Sequence, residues 1–160
     1  MARTSGALPG EDGAPFVTAL ECRIGRARFA IPTEAIERLI EYRAWPLPLA
    51  RNWIGGVGLH AGVPLISIAL HRAKDTPSSE APVKGILLKV PGSPLGWALE
   101  VHEVFVFVRA RRLDRRDHDS DKLPPWISIA GTADRRSLAL VDVAGMLADV
   151  ASVDLARELP

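Results

Sequence analysis

The chain has 160 residues, 48% hydrophobic and 24% charged, with a formal net charge of +1. That length suits one domain or two small units sharing a core. The charge offers no bulk attraction to nucleic acid or an acidic membrane surface, and the single cysteine, Cys22, excludes an internal disulfide.

Residues 1–14 are rich in small and turn-forming residues and lack an apolar h-region. They predict a disordered lead-in without a secretory signal, and hence a cytoplasmic location. Residues 16–22 alternate as a strand, with Phe16, Thr18, Leu20 and Cys22 on one side. Ile24-Gly25-Arg26 is a hairpin signal, and 27–31 is the return strand. Pro32 and Glu34 open a helix of a turn or two, after which Leu39, Ile40 and Tyr42 read as extended. Trp45-Pro46-Leu47-Pro48 is a proline-stiffened connector. Residues 52–70 carry no Asp, Glu, Lys or Arg over nearly the length of a membrane span. Their glycines and Pro64 instead divide them into strands at 53–59 and 63–68, joined at His60-Ala61-Gly62, so no direct membrane insertion is expected.

Residues 71–82 are polar and proline-bearing and read as the internal linker. Strands follow at 85–90, 95–101 and 104–108, where Phe105 and Phe107 alternate against Val104, Val106 and Val108. Residues 109–125 are charged and irregular, and 109–122 are expected to be mobile and dispensable for folding. Strands at 126–130 and 137–141 precede a short helix at 143–150, a further turn at 153–158 and a tail over 151–160.

About nine short strands with little helix predict a mostly β protein. The order repeats: strand, Gly turn, strand, then a strand opening Trp-Ile and a final apolar strand. Trp53-Ile54 and Trp126-Ile127 mark the two copies. The repeat predicts two small barrels, divided in sequence near 74–84, with strands free to cross between them.

No motif organises catalysis, a metal or a cofactor. His60, His71, His102 and His118 lack metal spacing, and no G-x-S-x-G elbow occurs. The glycine run at 56–62 is one residue too long for a dinucleotide fingerprint and leads into a strand. Asp117 to Asp121 begins like a calcium loop, but Lys122 stands where glycine is needed and Ser128 where the closing glutamate belongs. Arg109, Arg111, Arg112, Arg115 and Arg116 are offset by Asp114, Asp117, Asp119 and Asp121 and have no interleaved aromatics. They read as a solvated loop rather than a nucleic-acid site. Trp53 and Trp126 are expected in the core and Trp97 half-buried. Trp45 is expected partly exposed, where a rigid aromatic can anchor an interface. The residues leave two further classes open: a ligand-binding or enzymatic barrel with a pocket between the units, and a nucleic-acid-binding barrel using 109–122.

Three segments together resemble the CheW-like family. Residues 24–40 are similar to its entry pattern of Gly hairpin, aromatic-bearing strand, proline and acidic-apolar turn. Residues 53–70 resemble its signature, a Gly-apolar strand reaching an Asn-Leu-Arg-Gly turn before a second apolar strand. Residues 99–108 with 126–147 are similar to its second half. The resemblance covers roughly 15–150. It implies two five-stranded SH3-like barrels around a shared core, with short helices, no catalytic activity and no cofactor. It implies an adaptor linking a chemoreceptor's cytoplasmic tip to the regulatory domain of a CheA-type histidine kinase, in a standard or pilus-motility pathway. It places partner contacts at the turn, Leu59, His60, Ala61 and Gly62, with Ile40, Tyr42, Trp45 and His102 beside them. The family's turn asparagine falls here on Leu59 and its arginine on Ala61. Its first-half aspartate falls on Ala69 and its Val-Asp-x-Val aspartate on His102, while Asp142 is kept.

Overall fold

Gly25 adopts φ 61, so the chain reverses within two residues and brings Ile24 opposite Ala27. The flanking strands are β1 (Val17–Ile24) and β2 (Ala27–Pro32). Pro32 has no N–H to extend the ladder, and a single 3-10 turn, Thr33–Ala35, follows it. β3 (Ile36–Glu41), β4 (Ile54–His60) and β5 (Val63–Ile68) come next. Then come β6 (Lys84–Leu88), β7 (Gly96–Val101), β8 (Glu103–Arg112), β9 (Ile127–Thr132) and β10 (Ser137–Val141), before helix α1 (Val143–Leu155). This computed structural model describes residues 15–41, 45, 54–70, 84–113 and 124–155. The expected lead-in, the linker at 71–82, Tyr42, Trp53, His71 and the acidic part of the arginine loop lie outside the described residues.

The protein is mostly β, in two five-stranded units. The first is a closed barrel in the order β1-β2-β10-β9-β8, and the second is a sheet in the order β3-β6-β7-β5-β4. The sequence repeat is present in this topology. Each unit joins a hairpin, β1-β2 or β6-β7, to a strand pair, β10-β9 or β5-β4, through a parallel contact. Each hairpin, however, pairs with the strand pair of the other half. Strands thus cross the sequence divide near 74–84, with β5 before it and β6 after it in one sheet. The reason is hydrogen bonding: each hairpin has an open edge that must be paired. β2 finds β10 (Ala139 opposite Phe29), while β7 finds β5 (Leu65 opposite Gly96).

In the second unit, among the described residues, Trp45 bridges onto β4 from beyond β3, exchanging two backbone hydrogen bonds of 2.9 and 3.0 Å with Val57. One expectation needs correction. Residues 109–112, expected in an irregular loop, belong to β8. Arg109 lies opposite Thr18, and Arg112 opposite Ala130. Pairing on both sides of β8 supplies backbone hydrogen bonds that offset the poor burial of its arginines.

Register explains the closed barrel's narrow lumen. One face of its sheet carries Ala19, Ala30, Ala110 and Ala130 with Leu138, one from each strand and all fully buried. Small side chains allow five strands to close without a void. The other face carries Leu20, Cys22, Ile24, Phe29, Ile31 and Val141. These pack against Ile68, Ile86, Leu88, Leu99 and Val101 of the second sheet, with Trp126, Val143 and Met146 completing the cluster. This is the shared core expected from the sequence, and the Trp126 indole N–H donates to Asp149 at 2.9 Å beneath α1.

Glu21 projects from β1 on the alanine face and is 1% exposed. Arg136 grips it in a fork at 2.9 and 3.1 Å, and Arg28 donates to it at 2.6 Å. Burial alone would raise the Glu21 carboxyl's pKa, but the two guanidiniums outweigh it and hold the group below the ordinary carboxylate range. In the second sheet, Glu100 is buried and accepts a 2.7 Å hydrogen bond from the Ser67 hydroxyl. Gly55 passes so close that an added Cβ would lie 2.2 Å from a Glu100 carboxylate oxygen and 2.8 Å from Ser67 Oγ.

These contacts give three expectations. Gly55→Ala should cost about 2–3 kcal/mol by overpacking a site whose neighbours are buried, read by urea denaturation. A loss below experimental error would show that Glu100 can move aside. A carboxyl with a depressed folded-state pKa stabilises the fold above its unfolded pKa and loses that contribution as pH falls through the folded one. Glu21→Gln should therefore lower the melting temperature at pH 7 by roughly 3–10 °C. The gap to the parent should close in acid, below the ordinary carboxylate range. Burial first, and the Glu21 charge second, push the Cys22 thiol up to about 12. A maleimide should consequently leave the folded protein unlabelled at pH 8 and label it once urea unfolds it.

Candidate partner-binding surface

The β4–β5 hairpin closes His60 on Val63 with a two-residue turn. Ala61 sits at φ 48 and Gly62 at φ 78, the positive values that a type I′ turn requires of both central residues. Glycine accepts this freely; alanine does so at a cost of about 1 kcal/mol. The turn is exposed at both residues and presents no charged group.

Trp45 is 63% exposed and is held across from Val57 by its two backbone hydrogen bonds. Residues opposite each other on paired strands share a face, and so do alternate residues along one strand. Trp45, Val57 and Leu59 therefore share a face with Pro64 and Ile66, which lie opposite Leu59 and Val57 on β5. Ile68 continues that face into the shared core. At its far end the core residues give out, and Leu59 stands 63% exposed with Pro64 exposed beside it. The result is an apolar shelf continuous with the core and rigidly supported by the ladder. The sheet's other face opens beneath the turn as a cavity of about 380 Å³, with Leu65 and Leu87 among its walls and Arg38 and His60 lining it.

Of the expected contact residues, the structure brings Leu59, His60, Ala61, Gly62 and Trp45 to one end of the second sheet. Two others leave the surface. Ile40 is 7% exposed, buried against Leu65, Leu87 and Ala98 because its register in β3 turns it inward. His102 is 6% exposed at the β7–β8 corner, where its Nδ1 accepts the Gly25 N–H at 3.0 Å. It stands where the family's Val-Asp-x-Val aspartate would fall, and it serves as a structural acceptor for the β1–β2 turn. Tyr42 lies outside the described residues.

Pro64 and Val63 were missed by sequence reasoning, although counting across a two-residue turn places them opposite Leu59 and His60. Phe107, read as a strand residue, is 64% exposed. A bulge between Leu20 and Cys22 shifts the pairing of β1 with β8, and alternation within β8 gives no sign of it. Among the described residues no group of three or more His, Cys, Asp or Glu is placed to hold a metal. No helix there is long and apolar enough to cross a membrane.

A search of the curated proteins gave no match. Among solved structures the fold is similar to the scaffolding protein TtCheW from Thermoanaerobacter tengcongensis, with a TM-score of 0.57 at 13% identity. That alignment covers 86% of this chain and 91% of the other. The profile of the CheW-like domain matches residues 18–151, nearly the whole of the described fold. With paired five-stranded units around one core and a sequence match across both, this chain belongs to the CheW-like domain family.

Proposed function

We propose that this chain is a non-catalytic adaptor of a bacterial chemosensory system. It binds the regulatory domain of a CheA-type histidine kinase, or a module of the same fold, and joins it to a chemoreceptor's cytoplasmic tip or an equivalent partner. The observation that carries this reading is the Trp45–Leu59–Pro64 shelf, an apolar surface that continues the core outward and ends in an uncharged turn. Exposed aromatic and aliphatic groups on a rigid ladder suit protein contact, because they bury area without ordering cost. Family membership supports the adaptor role, and burial of the lone Cys22 thiol is consistent with it. An alternative, pilus-motility pathway fits the loss of the family's turn arginine.

Alanine at position 61 sets the chemistry of the partner. An arginine there could fork onto a carboxylate, whereas Ala61 leaves a small apolar spot beside Leu59. The fitting partner offers apolar area opposite the turn and no unpaired carboxylate, since a buried lone charge is costly.

The deciding experiment is calorimetric titration of the chain against the kinase regulatory domain from the same organism. Ala61→Asp should weaken binding at least about tenfold, or ~1.4 kcal/mol. Ala61→Asn has nearly the same shape and also tolerates positive φ, so it should bind within a factor of about three of the parent. Both variants should fold, because Asn and Asp enter the left-handed region more readily than alanine. Equal affinity for Ala61→Asp and the parent would remove the turn from the interface.

A further inference from the structure

The closed barrel carries a second surface of different chemistry. Register places Phe107 and Arg109 of β8 on the outer face, opposite Leu20 and Thr18 of β1, and alternation adds Arg111. Phe16, just before β1, lies against this row: the Arg109 and Arg111 guanidiniums sit 5.3 and 5.1 Å from its ring centroid. The sequence shows no aromatic among these arginines; the fold supplies one from the far end of the chain. Beside them a cavity of about 230 Å³ is lined by Phe16, Arg111, Arg135 and Ser137, with Arg136 at its wall.

Among the described residues, the charge around this cavity is unbalanced. Arg136 is committed to Glu21 and Asp134, and Asp134 also accepts the Thr132 hydroxyl. Both nearby carboxylates are thereby occupied. Among the described residues, no carboxylate lies within ion-pair distance of Arg109, Arg111 or Arg135. Arg135 is also held at φ 63 in the β9–β10 turn, a conformation that L residues other than Asn and Asp rarely adopt. Its backbone N–H is tied to the Thr132 carbonyl at 3.0 Å, which fixes the direction in which the side chain leaves the turn.

We propose that this end of the barrel docks an acidic segment of a protein partner, a stretch in which carboxylate side chains alternate with apolar ones. Carboxylates enter the cavity between Arg111 and Arg135, where guanidinium forks can grip them. Apolar neighbours cover Phe107, which is 64% exposed at the end of the same row. The cavity is smaller than the usual range for a free small molecule or nucleotide, about 300–1,000 Å³, and suits a side-chain head group. Nucleic acid fits less well. The aromatic nearest the cations is already engaged by two guanidiniums, and a chain of net charge +1 lacks the broad field that recruits a polyanion. This surface is separate from the turn at Ala61, and its failure would leave the adaptor reading untouched.

Fluorescence anisotropy of the full chain tests it with three labelled probes: an alternating Glu-Leu peptide, its Gln-Leu counterpart, and a single-stranded DNA oligonucleotide matching the first in charge. The Glu-Leu peptide should bind, more weakly as salt rises, and the Gln-Leu peptide should bind at least about tenfold more weakly. The double variant Arg111→Gln, Arg135→Asn should lose at least about tenfold, and Phe107→Ser should weaken binding further. The asparagine keeps the positive φ within reach, so the double variant should melt as the parent does; Arg111→Gln alone, which leaves the turn intact, should still lose affinity. Ala61→Asp should bind the peptide as the parent does. Equal binding of both peptides, no binding of the Glu-Leu peptide, an unchanged double variant, or tighter binding of the oligonucleotide would each overturn the proposal.

Discussion

Everything in this molecule depends on one apolar seam, the packing of the closed barrel's outer face against the second sheet. Leu20, Ile31 and Val141 meet Ile68, Leu99 and Val101 there, with Trp126 and Met146 filling the side beneath α1. Neither unit is self-sufficient. The barrel's own lumen is mostly alanine, which buries little apolar area per residue, and the second sheet's inner cluster is only Ile40, Leu65, Leu87 and Ala98. Most of the larger buried side chains lie at the seam, so each unit depends on the other. The exchanged hairpins reinforce this dependence, because each unit contains strands from both halves of the chain.

The two buried carboxylates show how one architecture solves a polar problem twice by different means. Glu21 is neutralised by two arginines whose outer atoms reach solvent, so the pair is partly hydrated and the charge is retained. Glu100 accepts a hydroxyl from Ser67 and is crowded by Gly55, a close approach that only a residue without a Cβ permits. Both carboxylates lie on faces directed away from the seam, which stays wholly apolar.

Both proposed contact surfaces lie where strands outrun the seam. In the second sheet β4 and β5 continue past the core into the Trp45–Leu59–Pro64 shelf, and in the closed barrel β8 continues to Phe107, Arg109 and Arg111. One surface is apolar and uncharged and the other pairs aromatics with guanidiniums. A chain with two chemically distinct faces on a rigid frame has the properties of a connector between unlike partners.

The amino-acid sequence by itself determined the mostly β class, the hairpin turns at Gly25 and Gly62, the exposure of Trp45 and the repeated order of strands. These rest on local alternation, on glycine's access to positive φ and on proline, all properties of neighbouring residues. Tertiary structure alone decided which hairpin joins which strand pair, because open strand edges are satisfied by partners far along the chain. It also decided that Arg109 to Arg112 form strand rather than loop, since pairing with β1 and β9 compensates for a poorly buried sequence. Ile40 and His102 turned inward for the same reason: register, not composition, assigns a face. Phe16 reached the arginines through β1–β8 pairing, across a separation in sequence that no local pattern can bridge.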